Sequence, residues 1–168
     1  MNMKNLALIL MSLLMVCCTK DDEVKAQTMT QKMYITIDGQ TQAVTLVDNQ
    51  ATKTLVEKLQ QTPVTVTLNS SGGFEIWGAL GFSLPTSNEQ INAQPGDVVL
   101  YNGSNICMFY GSNSWSYTRL GKIDGLSESE LRTFLKAGDS NISVTLSLSN
   151  TTGKATSALM RKGVRTIR

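Results

Sequence analysis

Between residues 33 and 148 apolar and polar positions mostly alternate, the period-two pattern of half-buried β-strands. "MYITIDG" (33–39) and "AVTLV" (43–47) flank Asp38-Gly39, a dipeptide that favours the tight turn of a hairpin. The period then changes. Leu55, Val56 and Leu59 fall on one face at helical spacing, Asn49 is placed to cap that helix, and Pro63 stops it. "VTVTL" (64–68) and "FEIWGAL" (74–80) return to strand patterning, the glycine of the second marking a bulge or a close backbone approach. Residues 84–94 are polar, with Pro85, Ser87 and Asn88, and are expected to form a loop. After the Pro95-Gly96-Asp97 turn, "VVLYNG" and "ICMFYG" form two short strands joined at Asn102-Gly103, and "SWSYTRLGKI" continues the sheet. Ser127 and Glu130 form a capping box for a short helix carrying Leu131, Phe134 and Leu135 and ending at Gly138. "ISVTLSL" (142–148) is the last strand.

Seven or eight short strands in one domain would leave exposed edges unless the sheet closes on itself. The predicted fold is therefore mainly β, a closed barrel of about eight strands with two short helices capping its ends.

The N-terminus is set apart from this domain. Lys4 precedes an apolar run from Leu6 to Val16 broken only by Ser12, the length of an export signal's hydrophobic region and too short to span a bilayer as a helix. The run ends in "LMVCCTKDDE", which resembles the processing site of bacterial lipoproteins, where a cysteine is acylated and becomes the new N-terminus. Cys18 is the residue chosen, with Cys17 as the alternative because the preceding position in that family usually holds Gly, Ala or Ser. "TKDDE" is similar to the signal that sends some Gram-negative lipoproteins to the outer face of the outer membrane; a plain charged tether over residues 20–25 is the competing account. The organisation expected is a signal peptide at 1–17, a tether at 18–32, the barrel at 33–148 and a basic extension at 149–168. The extension carries Lys154, Arg161, Lys162, Arg165 and Arg168 with no acid, and either touches anionic lipid or glycan or is a solvated tail. The expected location is the cell envelope, lipid-anchored to the outer membrane and facing outward.

Composition narrows the chemistry. A formal net charge of +2 over 168 residues argues against nucleic acid as partner. The chain has no histidine and only three cysteines, so zinc, haem and histidine-based nucleophile sites are not suggested, and no cofactor or metal is expected. Cys107 is the one cysteine within the domain and is expected to be a buried small hydrophobe. "SSGG" (70–73) reads as a turn and not as a phosphate loop.

Candidate binding residues come from aromatic crowding. In "FYGSNSWSYTRLGKI" (109–123), Trp115, Tyr117 and Arg119 occupy every second position and so share one face of a strand. They line a cleft, where rings hold an apolar or prolyl group and the guanidinium pairs a carbonyl or carboxylate, or else they form a packing ladder. Phe109 and Tyr110 point to opposite faces, so one of them is expected in the core. Trp77 and Glu75 form a second pair on one face of "FEIWGAL", opposite Phe74 and Ile76, and could receive an amine or a lysine side chain.

The element order, with "PGDVVLYNGSNICMFYG" and "SYTRLGKIDGL" as its most specific blocks, resembles the bacterial cyclophilin-like families of small barrels over about residues 33–148. The resemblance implies an eight-stranded barrel closed by helices, with a cleft on its outer surface. It does not carry over prolyl isomerase activity, because the histidines and the phenylalanine-histidine-arginine block of true cyclophilins are missing and nothing around Arg119 matches. The function expected is a non-catalytic module, anchored to the membrane by its lipid, that binds an unknown small molecule or peptide. The alternatives are a peptidyl-prolyl isomerase or folding aid using Arg119, and a scaffold subunit partnered by other surface lipoproteins.

Overall fold

The computed structural model describes residues 31–150; the predicted signal peptide, Cys17, Cys18, the charged segment after them and nearly all of the basic extension lie outside the described residues. Nine strands and two helices follow in the order β1 (Lys32–Ile37), β2 (Gln40–Leu46), α1 (Gln50–Gln61), β3 (Val64–Ser71), β4 (Glu75–Ala79), β5 (Glu89–Ala93), β6 (Asp97–Tyr101), β7 (Asn105–Phe109), β8 (Asn113–Ile123), α2 (Glu128–Phe134) and β9 (Ile142–Ser147). Eight of them, all but β5, form an antiparallel sheet in the order β2-β1-β9-β3-β4-β7-β6-β8, and β8 pairs back onto β2 to close it. The closing register is Val44↔Ile123, Thr45↔Lys122 and Leu46↔Gly121. The barrel and both helices are as the patterning predicts.

Alternation fills the barrel. Met33, Ile35 and Ile37 of β1, Val66 and Leu68 of β3, Leu100 of β6, Ile106 and Met108 of β7 and Val144 and Leu146 of β9 belong to one buried cluster. Helix α1 adds Leu55, Val56 and Leu59, and α2 adds Leu131 and Phe134. Both helices begin as their sequences predict. Asn49 accepts a hydrogen bond from the Thr52 amide at 2.9 Å while the Thr52 hydroxyl accepts one from the Asn49 amide at 3.2 Å, and Ser127 and Glu130 do the same for α2; each cap contributes about 1 kcal/mol. The helices sit at opposite ends of β2. Helix α1 follows its last residue, and α2 lies by the β1–β2 turn, where Lys136 pairs with Asp38 at 2.7 Å. In that turn Asp38 and Gly39 have φ of 48° and 77°, the left-handed region the dipeptide tolerates.

Two expectations are corrected. Residues 84–94 are not simply a loop: 89–93 form β5, paired with β8 from Glu89↔Tyr117 to Ala93↔Asn113. Three of its five residues are polar, so the alternation is nearly invisible, yet Ile91 and Ala93 are buried. The other concerns Phe109 and Tyr110: they point to opposite faces as expected, but both are buried, Tyr110 inside the barrel and Phe109 in a second cluster outside it. That cluster is what positions the site.

Candidate functional site

Strand β8 does two jobs. Its second half pairs with β6 and β2 in the barrel wall, while its first half leaves the wall and pairs with β5. The resulting β5–β8 ribbon covers the outward faces of β6 and β7. Ile91, Ala93 and Tyr117 of the ribbon pack on Val99, Cys107 and Phe109 of the wall, with Phe74 and Tyr101 at the margin. The ribbon is held at its base by polar contacts. The Thr118 hydroxyl donates to Asn88 Oδ1 at 2.7 Å and accepts from the Ser87 amide at 2.8 Å.

Beyond the edge of this cluster the ribbon and wall stand apart, leaving a cleft of about 330 Å³ lined by Ser71, Glu75, Trp77, Tyr101, Cys107, Asn113, Trp115 and Tyr117. Its walls follow from register. Glu75 and Trp77 are alternate residues of β4, and Trp77 pairs with Cys107, so all three point outward while Ile76 between them fills the barrel. The rings contact edge to face, Trp77 to Tyr101 with centroids 6.5 Å apart and Tyr101 to Tyr117 at 6.1 Å. Asn113 Nδ2 donates to the Tyr117 hydroxyl at 2.9 Å. Trp115 is 54% exposed and Trp77 37%, so large apolar surface is left facing the cleft instead of being packed away.

Four of the five predicted cleft residues, Trp115, Tyr117, Trp77 and Glu75, come together here from separate strands. Arg119 does not line the cleft. It shares the outward face of β8 with Trp115 and Tyr117, but its Nε donates to Glu89 Oε1 at 3.2 Å and its Nη1 lies 3.8 Å from Asp97 Oδ2, tying the start of β5 to β6. Lys122 holds the other oxygen of Asp97 at 3.1 Å. Phe74, expected on the same face as Ile76, instead stacks on Phe109 outside the barrel with centroids 6.1 Å apart. It follows the Gly72-Gly73 turn and precedes β4, so strand alternation does not reach it. Patterning gives no reason to single out Ser71 or Asn113; for Tyr101 the available signal is its place next to the buried Leu100, which turns it to the outward face.

Electrostatically the cleft has one focus. Glu75 Oε2 is shielded from solvent, and the weakly donating Cys107 thiol is the one donor beside the carboxyl among the described residues. Burial pushes the Glu75 carboxyl up to about 6, with the neighbouring Cys107 thiol opposing the shift as a hydrogen-bond donor. Burial, and then the nearby carboxylate, push the Cys107 thiol up in turn, which suits a packed side chain and not a nucleophile. Burial likewise raises Tyr117, against the hydrogen bond from Asn113. Among the described residues no group of His, Cys, Asp or Glu side chains gathers as a metal site requires. A second cleft of about 320 Å³, beside α2 and lined by Gln40, Gln42, Leu126, Thr133 and Phe134 among others, has its only carboxylate, Glu130, already engaged by Ser127.

The sequence model of the cyclophilin-like family matches residues 35–147, the barrel from its first strand to its last. The chain belongs to the cyclophilin-like family. No curated protein matches it. Among solved structures it is similar to a hypothetical protein from Archaeoglobus fulgidus, known from its solution structure, at 19% identity and a TM-score of 0.54, over 71% of this chain and 95% of that one. At that identity the likeness extends to the fold alone.

Proposed function

We propose that this cyclophilin-like protein is a non-catalytic binding module of the cell envelope, anchored by acylation of Cys18, whose ligand occupies the outer cleft between the β5–β8 ribbon and the barrel wall. The observation that carries the binding role is the convergence of four aromatic rings and a shielded carboxylate with no cation beside it on one cleft. Its volume, about 330 Å³, is near the lower end of small-molecule sites, about 300–1,000 Å³. Isomerase chemistry lacks comparable support, because among the described residues the only arginine near the cleft is committed to Glu89 and Asp97.

Anchoring is supported by "LMVCCTKDDE" and by the arithmetic of acyl chains, in which each buried methylene contributes about 0.8 kcal/mol. Growth with a labelled fatty acid should label the wild-type chain and the Cys17→Ala variant but not Cys18→Ala. Label persisting in Cys18→Ala would overturn that assignment. The "TKDDE" segment supports an outward-facing domain, which protease added to intact cells should then remove.

The binding role is tested by fluorescence, since the chain has two tryptophans and both line the cleft. A panel of amino-acid-sized cations, anions and neutral compounds at millimolar concentration should include at least one class that shifts tryptophan emission saturably. Trp115→Ala should weaken that binding about tenfold, in keeping with the loss of an aromatic anchor. Silence from every class would sink the cleft as a small-molecule site.

A further inference from the structure

Of the eight residues lining the outer cleft, Glu75 alone is an acid of the carboxylate type, and none is a lysine or arginine. The cations of the described ion pairs are all used elsewhere: Lys32 on Asp124, Lys53 on Asp48, Arg119 on Glu89 and Asp97, Lys122 on Asp97, and Lys136 on Asp38. Apart from the weak donor of the Cys107 thiol beside the carboxyl, Glu75 Oε2 thus stands as a shielded acceptor with no cation or strong donor among the described residues. Leaving it so is unfavourable, and a ligand that brings a donor removes the penalty.

The chemistry around Oε2 narrows the donor. Faces of Trp and Tyr attract positive charge, and a charge-assisted hydrogen bond to a carboxylate is stronger than a neutral one. A quaternary ammonium would satisfy the rings but has no N–H for Oε2. A guanidinium is planar and asks for both oxygens of a carboxylate side by side. A primary ammonium on a short carbon chain meets both demands, its nitrogen at Glu75 and its methylenes against the rings.

Resting on the reading of this cleft as the binding site, we propose that its ligand is a primary alkylammonium group, whose N–H donates to Glu75 while its carbon chain lies among Trp77, Tyr101, Trp115 and Tyr117. The group is supplied either by a small free amine or by the side chain of a lysine in a peptide.

The groups facing Glu75 make the pH dependence simple. They are Ser71 from β3, Cys107 from β7, Tyr101 from β6 and Asn113, Trp115 and Tyr117 from β8. A thiol or phenol does not ordinarily ionise below about pH 8, so between pH 5 and 7.5 the carboxyl of Glu75 is the group that changes charge in the cleft. Amine binding is therefore strongest above the point where Glu75 ionises and declines as that carboxylate is protonated.

The test titrates the full chain at pH 7.5 with four probes of one carbon skeleton, butylammonium, butyltrimethylammonium, butanol and butyrate, following tryptophan emission. Butylammonium is expected to bind about tenfold or more tighter than each of the others. Glu75→Gln should weaken butylammonium about tenfold while melting at or above the wild-type temperature, because it removes a buried charge that lacks a partner. The wild type should lose about tenfold in butylammonium affinity between pH 7.5 and 5, and the variant should not. An acetylated and amidated Gly-Lys-Gly peptide binding tighter than butylammonium assigns the group to a polypeptide lysine; equal or weaker binding assigns it to a free amine. Butanol, butyrate or the quaternary ion binding as tightly as butylammonium, or Glu75→Gln leaving its affinity unchanged, would overturn the proposal while leaving the cleft itself a binding site. Failure of every compound in the wider panel would remove the site altogether.

Discussion

Gly121→Ala should cost about 2–3 kcal/mol of stability, a large effect for adding one methyl group. A Cβ at this position would stand 2.4 Å from the carbonyl oxygen of Thr45 and 3.0 Å from Val44 Cγ1. The first of these is backbone of β2, which cannot rotate away, so the two strands must separate. Gly121 pairs with Leu46 in the short register that closes the barrel. Separation there releases the join between β2 and β8 and lets water reach Leu46 and Leu120, which are otherwise buried. Overpacking of this kind typically costs about 1–3 kcal/mol, and the backbone partner places this case at the upper end. Urea denaturation would read it as a lowered midpoint, and hydrogen exchange as faster loss of β2 amides. Wild-type stability in Gly121→Ala would contradict the closed register described here.

Phe109→Ala is expected to cost about 3–5 kcal/mol, the range for removing a fully buried ring. Phe109 lies between two layers. It stacks with Phe74 at 6.1 Å and meets Tyr117 edge to face at 5.7 Å, and it is completely buried beneath the ribbon. Its loss leaves a cavity under β5, whose own apolar contribution is only Ile91 and Ala93. The ribbon should therefore loosen before the barrel does, so that amides of β5 exchange early and ligand binding in the cleft falls with them. Denaturant melts of the full chain measure the first effect, and exchange of the β5 amides the second. A loss under about 1 kcal/mol would mean that the outer layer is not a cooperative part of the fold.

The difference between these two sites shows what the chain makes legible. The barrel was readable because its interior is filled by alternate residues and each period-two run reports one buried face, and the helices because Asn49 and Ser127 announce their starts. The outer layer was less readable, although its trace is present. Val98, Val99 and Leu100, like the run from Ile106 to Tyr110, are apolar without alternation, the mark of strands buried on both faces. What covers the second face is β5, whose Glu89, Gln90 and Asn92 hide two inward residues among polar ones. The site shows the same division. Periodicity placed Trp115, Tyr117 and Arg119 on one face correctly, but a period carries no information on partners. Glu89 and Asp97 draw Arg119 away from the cleft, while the β4–β7 register brings Glu75, Trp77 and Cys107 into it.

The most direct test of the cleft as the ligand site is an intermolecular nuclear Overhauser measurement on the full chain with butylammonium. Contacts from the ligand methylenes to the indole protons of both Trp77 and Trp115 are the predicted result. Contacts confined to residues of the other cleft, Leu126 and Phe134 beside α2, would contradict the account.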